Sequence, residues 1–216
     1  MRELILKMSM SLDGFVCGAD GEISWIFRSD PAAVAWSVET VWNASLHIMG
    51  SRTFHDMAAF WPTSTQIFAP PMNQIPKAVF SKQGPAVLKG TNTTAALRDA
   101  RADAGPGQPT ELQPGAESWA QAYVAGGDLK AEIAKLKAQD GKPIVAHGGA
   151  GFARSLVAEG LVDQFALLVH PVALGKGLPI FSRLAAPRPL RLVSSQAFPS
   201  GAMAQIYRPE GGWARL

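Results

Sequence analysis

The chain has 216 residues, enough for one large domain, and its 47% apolar and 17% charged content describes a globular protein with a sizeable core. Its net charge of +3 comes without any Lys/Arg run interleaved with aromatics. That excludes a nucleic-acid footprint and suits a small anionic ligand. Cys17 is the single cysteine, so an internal disulfide and a cysteine-built zinc cluster are excluded, and His47, His55, His147 and His170 lack metal-ligand spacing. No stretch approaches the roughly 18 apolar residues of a membrane span, and residues 1–8 enter a strand-like run directly. A cytoplasmic protein without membrane or metal is expected.

Glu3–Met10 is a β-prone apolar run that breaks at Ser11-Leu12-Asp13-Gly14, after which Phe15-Val16-Cys17 resumes briefly. Asp30-Pro31 is a helix start, a carboxylate N-cap followed by proline at the first helical position. Val34, Val38, Val41, Trp42 and Ser45 are expected along one face of that helix. Leu46–Met49 reads as the next strand. Gly50-Ser51-Arg52-Thr53 opens a helix running to about Phe60 and closed by Trp61-Pro62, and Lys77–Phe80 is a further apolar piece. From Gly84 to Ser118 Gly, Pro, Ala, Thr and Gln dominate. The segment reads as a long insertion within the single domain, with a short helix near Thr94–Ala102.

Trp119–Val124 is expected as a strand. Asp128 caps an amphipathic helix that places Leu129, Ile133 and Leu136 on one face. After Asp163 the periodicity turns to strands: Gln164–Val169, then Pro171–Leu174, then Leu190–Phe198 and Met203–Tyr207 as a closing hairpin. Strand–helix alternation first and paired strands last predict an α/β fold. Its sheet is mostly parallel, with helices on both faces and a C-terminal antiparallel hairpin.

The chain is organised around Ile144–Leu156, IVAHGGAGFARSL. A short apolar strand runs into Gly148, Gly149 and Gly151 and then into a helix. Free N–H groups and the positive dipole end make such a helix start an anion site, at the carboxyl edge where open α/β sheets bind ligands. The pattern alone serves equally as a tight strand-to-helix turn. It is neither GxGxxG, since Arg154 stands where the last glycine would be, nor a P-loop.

MSLDGFV (10–16), MGSRTF (49–54), VFSKQ (79–83), HGGAGFARSL (147–156) and LVDQFALLVHPVALGKGLPIF (161–181), in this order, resemble the dihydrofolate reductase-like fold. They are most similar to the reductase domain of bifunctional riboflavin-biosynthesis proteins and their stand-alone relatives. The resemblance covers nearly all the chain outside 84–118. It implies NADPH as cofactor, with the pyrophosphate at Gly148, Gly149, Ala150, Gly151 and Phe152. Further phosphate contacts would come from Ser51, Arg52 and Thr53, and the 2′-phosphate would lie at Ser81 and Lys82. The family usually carries Arg directly after the motif glycine. Here Ser51 stands there and Arg52 follows, turned by about 100° on a helix.

On the substrate side, the place of dihydrofolate reductase's acidic residue falls at Val34, with Glu39 on its flank, so folate reduction is disfavoured. The resemblance points instead to Asp13, holding substrate hydroxyls or assisting proton transfer beside the hydride step, and to Trp25 as a pocket wall. His170 is expected to be a satisfied structural histidine and Cys17 a packing residue. No deaminase zinc motif is present. The implied activity is hydride transfer from NADPH to a small heterocyclic or imine/carbonyl substrate. The riboflavin-pathway reaction on a phosphoribosylamino-uracil and a silent nucleotide-binding module are the alternatives, and a homodimer is expected by analogy.

Overall fold

In the computed structural model, which describes residues 1–28, 30–89 and 111–211, eight strands form one sheet of order β4-β3-β2-β5-β1-β6-β8-β7. The strands are β1 (Leu4–Ser11), β2 (Leu46–Gly50), β3 (Lys77–Phe80), β4 (Tyr123–Ala125), β5 (Ile144–Ala146), β6 (Gln164–His170), β7 (Leu190–Ala197) and β8 (Met203–Pro209). All pairings from β4 across to β6 are parallel, and β8 and β7 continue antiparallel. This is the expected α/β sheet with a closing hairpin.

The helices are α1 (Pro31–Trp42), α2 (Ser51–Phe60), α3 (Ala69–Gln74), α4 (Leu129–Lys137) and α5 (Ala150–Ala158). Side chains alternate across each strand, so each sheet face has its own core. One face packs Leu4, Leu6, Ile48, Ile144, Ala146, Phe165 and Leu167 against Ile133 and Leu136 of α4 and Ala153, Leu156 and Val157 of α5. The other packs Met49 and Val79 against Phe54 and Ala58 of α2, Val41 of α1 and Met72 of α3, with Ile5, Val145, Ala166 and Leu168 continuing toward Ala33 and Trp36 of α1.

Asp30 caps α1 by accepting from Ala32 N (2.9 Å) and Ala33 N (3.0 Å), and its other oxygen accepts from Ser200 N at 2.9 Å. Contacts to Ser200 and these amides hold its carboxyl down at about 2. The cap therefore also ties α1 to the β7–β8 turn.

Four expectations need correction. The buried stripe of α1 is Ala33, Ser37 and Val41, not the Val34/Val38/Trp42 face, and Trp42 is exposed. Small residues face inward there because the helix lies close over the sheet. Trp119 ends a 3₁₀ turn (Ala116–Trp119) rather than starting a strand, and β4 begins only at Tyr123. Pro171–Leu174 is not a strand, and Phe15 makes a single bridge to Pro179.

The flanks of the presumed insertion are core. Val87 and Trp119 are fully buried, and Trp119 Nε1 donates to Asn73 Oδ1 at 2.8 Å. Asn73 Nδ2 in turn donates to Trp61 O, and Lys77 Nζ donates to Asn73 O, Ile75 O and Ser118 Oγ beneath the Trp119 ring. Burial lowers the Lys77 ammonium to about 7. The helix expected near Thr94–Ala102 lies outside the described residues.

Candidate active site

Because β3, β2, β5, β1 and β6 are parallel neighbours, their carboxyl ends meet along one edge of the sheet. In that order the edge carries Ser81-Lys82, Ser51–Thr53, Gly148–Phe152, Leu12–Gly14 and His170. All five sequence motifs thus converge from distant parts of the chain.

The two helices opening on this edge differ from the others in their caps. Among the described helices of nine residues or more, α1 and α4 have aspartate N-caps, Asp30 and Asp128. In contrast α2 and α5 start at Gly50 and Gly149 with no side-chain cap, which leaves their first N–H groups for a ligand. The two ends are coupled: Gly149 N donates to Thr53 Oγ1 at 2.9 Å, and a Cβ on Gly50 would lie 3.1 Å from Phe152 Cβ. Phe152 also packs on Phe80, ring centroids 4.9 Å apart, which joins the β3 end to the same surface.

Gly148 has φ +84°, and a Cβ there would sit 2.8 Å from Met8 Sδ. Glycine therefore sets both the turn and the approach to β1. The β5 register with β1 ends at Leu6–Ala146, while β1 runs on to Ser11 paired only with β6. The β1 extension thus has no ladder partner on its β5 side, a notch in the strand pairing next to the Gly148 turn, and Lys7, Met8 and Ser9 are only partly buried there.

The individual expectations fare differently. Thr53 bridges the helix starts. Arg52 is exposed on α2, and Lys82 is exposed after β3. Ser81 is mostly buried, and its Oγ accepts from Gln83 N at 3.2 Å, so the hydroxyl also shapes its own turn. Asp13 is exposed, and its carboxylate accepts from Ser11 Oγ (2.6 Å), Leu174 N (3.0 Å) and Gly175 N (2.7 Å). The Ser11 hydroxyl, then the Gly175 and Leu174 amides, hold its carboxyl below the usual range. Asp13 is thereby an ionised clasp between the β1 loop and the 173–175 loop, poorly suited to donate a proton at neutral pH. Arg154 is likewise engaged, donating from Nε to Pro179 O at 2.7 Å. Glu39 faces a groove of about 550 Å³ with Ile5 and Gln164, at the amino ends of the strands and away from this edge. Cys17 is buried, and burial pushes its thiol up.

Two features of this end were not foreseen. Lys7 sits in mid-strand on the face toward α1, its Nζ 5.9 Å from the Phe68 ring centroid, and burial lowers it to about 8. The visible signal was a lysine inside an otherwise apolar strand. His170 is not a satisfied histidine: its Nε2 is buried without a hydrogen-bond partner among the described residues. Trp25 stands edge-on to His170, ring centroids 5.3 Å apart at 81°. Burial, then the Lys7 charge, lowers His170, and burial, then His47 and Lys7, lowers His147, so both are neutral.

The sequence model of the RibD C-terminal domain matches residues 2–204. The chain belongs to the RibD C-terminal domain family. The uncharacterized protein YyaP of Bacillus subtilis (strain 168) is 26% identical over 213 residues, covering 97% of this chain and 96% of YyaP. Among solved structures, the Thermotoga maritima diaminohydroxyphosphoribosylaminopyrimidine deaminase/5-amino-6-(5-phosphoribosylamino)uracil reductase aligns with TM-score 0.64 and 18% identity. That alignment covers 96% of this chain and 56% of the Thermotoga protein. Enterococcus faecalis dihydrofolate reductase, in a complex with NADP(H), aligns with TM-score 0.55 and 12% identity over 96% of each chain. These likenesses establish the dihydrofolate reductase-like fold for this RibD C-terminal domain.

Proposed function

We propose that this RibD C-terminal domain protein is an NADPH-dependent oxidoreductase acting on a small heterocyclic or imine/carbonyl substrate. The observation that carries the reading is the pair of glycine-started, uncapped helices, α2 and α5, joined by Thr53 at the carboxyl edge of β2 and β5. Two convergent helix starts with free N–H groups fit a dinucleotide's phosphates without any cationic cluster. Backbone N–H groups of Ala150, Gly151 and Phe152 and of the first turn of α2 would hold the pyrophosphate. Lys82, Arg52 and the Ser81 turn are the groups available to a 2′-phosphate, since both segments leave the sheet just after the Gly50–Phe80 pair. NADPH, when bound, supplies the hydride. Trp25 and His170, at the carboxyl end of β6, and Lys7 on the same face of β1 would orient the acceptor.

Asp13 contributes by fixing the β1 and 173–175 loops at the mouth, so its removal should raise KM more than it lowers kcat. The likeness to the Thermotoga protein supports, as a second reading, a phosphoribosylamino-uracil substrate. A homodimer is proposed alongside. The test is oxidation of NADPH followed spectroscopically with imine, carbonyl and pyrimidine substrates. Turnover with at least one class supports the reading; tight NADPH binding without turnover would leave the silent nucleotide-binding module.

A further inference from the structure

Trp25 and His170 are 8% and 3% exposed, and they meet edge to face. Trp25 Nε1, which can only donate, and His170 Nε2 are both buried with no hydrogen-bond partner among the described residues. Buried polar atoms are rarely left so, and two within one ring contact at the ligand edge of a sheet point to a shared ligand atom. The strand register adds the charge. Lys7 pairs with Ala166, Ser9 with Leu168 and Ser11 with His170, so Lys7, Ser9, Ser11 and His170 share one face of β1–β6.

Among the described residues no ion pair joins Lys7 to a carboxylate. Burial alone accounts for the lowered Lys7 ammonium, with no acid contributing. Of the acids flanking it, Asp30 is committed to Ala32, Ala33 and Ser200, and Asp13 to Ser11, Leu174 and Gly175. A protonated amidine or aminopteridine edge would meet the Trp25 N–H and the Lys7 charge here.

We infer that Trp25 and His170 are specificity-determining residues which, with Lys7, bind an oxygen acceptor of the ligand, a carbonyl or carboxylate, and reject cationic amidine-type edges. The wall is positive and donor-rich, so it selects neutral oxo or anionic compounds of small size. Identifying that ligand with the substrate rests on the reductase reading above; the recognition itself does not.

The experiment is a calorimetric titration of the full chain, alone and with NADPH, using benzoate, benzamide and benzamidine, which share a size but differ in acceptor and charge. Benzoate is expected to bind at least tenfold more tightly than benzamidine, with benzamide between. Trp25→Phe and His170→Phe, which keep a ring but remove the nitrogens, should each weaken benzoate about tenfold and leave NADPH binding unchanged. Benzamidine binding as well as benzoate, or benzoate binding indifferent to both variants as for an anion held at the helix starts, would overturn the inference. Failure of NADPH to bind, with benzoate selectivity intact, would sink the reductase reading and leave this pocket standing.

Discussion

Gly148→Ala is the substitution whose consequences the geometry defines most closely. At φ +84° an alanine is strained, and its Cβ would stand 2.8 Å from Met8 Sδ and 3.0 Å from Met8 Cε. The left-handed backbone costs about 1–2 kcal/mol for a residue with a Cβ. For a chain of this size each kcal/mol shifts the melting temperature by roughly 2–4 °C. The backbone strain therefore lowers it by roughly 2–8 °C. The clash is with the end of a flexible side chain, so Met8 swings away from Gly148 and disturbs the start of α5 beside it.

NADPH affinity should accordingly fall by an order of magnitude or more in Gly148→Ala. In a Met8→Ala background the added Gly148→Ala change should cost only the backbone strain and recover part of the cofactor affinity. Differential scanning calorimetry and NADPH titration of the four proteins make the cycle. Unchanged melting and unchanged NADPH binding in Gly148→Ala would refute both the strained turn and the disturbed helix start.

Arg52→Ala and Lys82→Ala separate the two cations near the proposed 2′-phosphate. Lys82→Ala is expected to weaken NADPH several-fold while sparing NADH, and Arg52→Ala to do less, as measured by competitive titration. Lys7 is lowered to about 8 from 10.5, so between those values the unfolded chain holds the extra proton and stability rises with pH. Its burial penalty is present below pH 8, so Lys7→Met should be more stable than the parent at pH 7, the gap narrowing toward pH 10. Melting curves across that range read it, and a gap independent of pH would contradict the burial. Trp119→Ala removes a fully buried ring and its bond to Asn73, and should cost about 3–5 kcal/mol. A loss under 1 kcal/mol by urea titration would mean that the region before β4 is not core.

What was legible in the sequence is what local chemistry determines. The aspartate caps, the glycine turn after β5 and the helix after Gly50 all depend on neighbours a few residues away, and each formed where expected. The apolar runs gave the strands, because buried parallel strands need no alternation. What depended on distant partners was not legible. The helix Ala69–Gln74 was not among the expected elements, and it forms where Phe68, Met72 and Asn73 pack or bond against Trp61 and Trp119. Val34 and Val38 suggested the wrong stripe on α1, where closeness to the sheet favours Ala33 and Ser37. The donor wall was hidden for the same reason: Trp25 meets His170, on the face that carries Lys7, only once β6 has paired with β1 and the turn at Ser24–Phe27 has folded against it. Asp13 was visible as a loop acid, but its commitment to Leu174 and Gly175 was not.

The central claim is that the two glycine-started helices form a dinucleotide site, and a thermal-shift titration with NADPH and NADH tests it most directly. A ligand that binds only the folded chain stabilises it by about 2.7 kcal/mol at a hundredfold excess over Kd, roughly 5–11 °C here. The account predicts a saturable shift of that size with NADPH and a smaller one with NADH. No shift with either cofactor at millimolar concentration would contradict it.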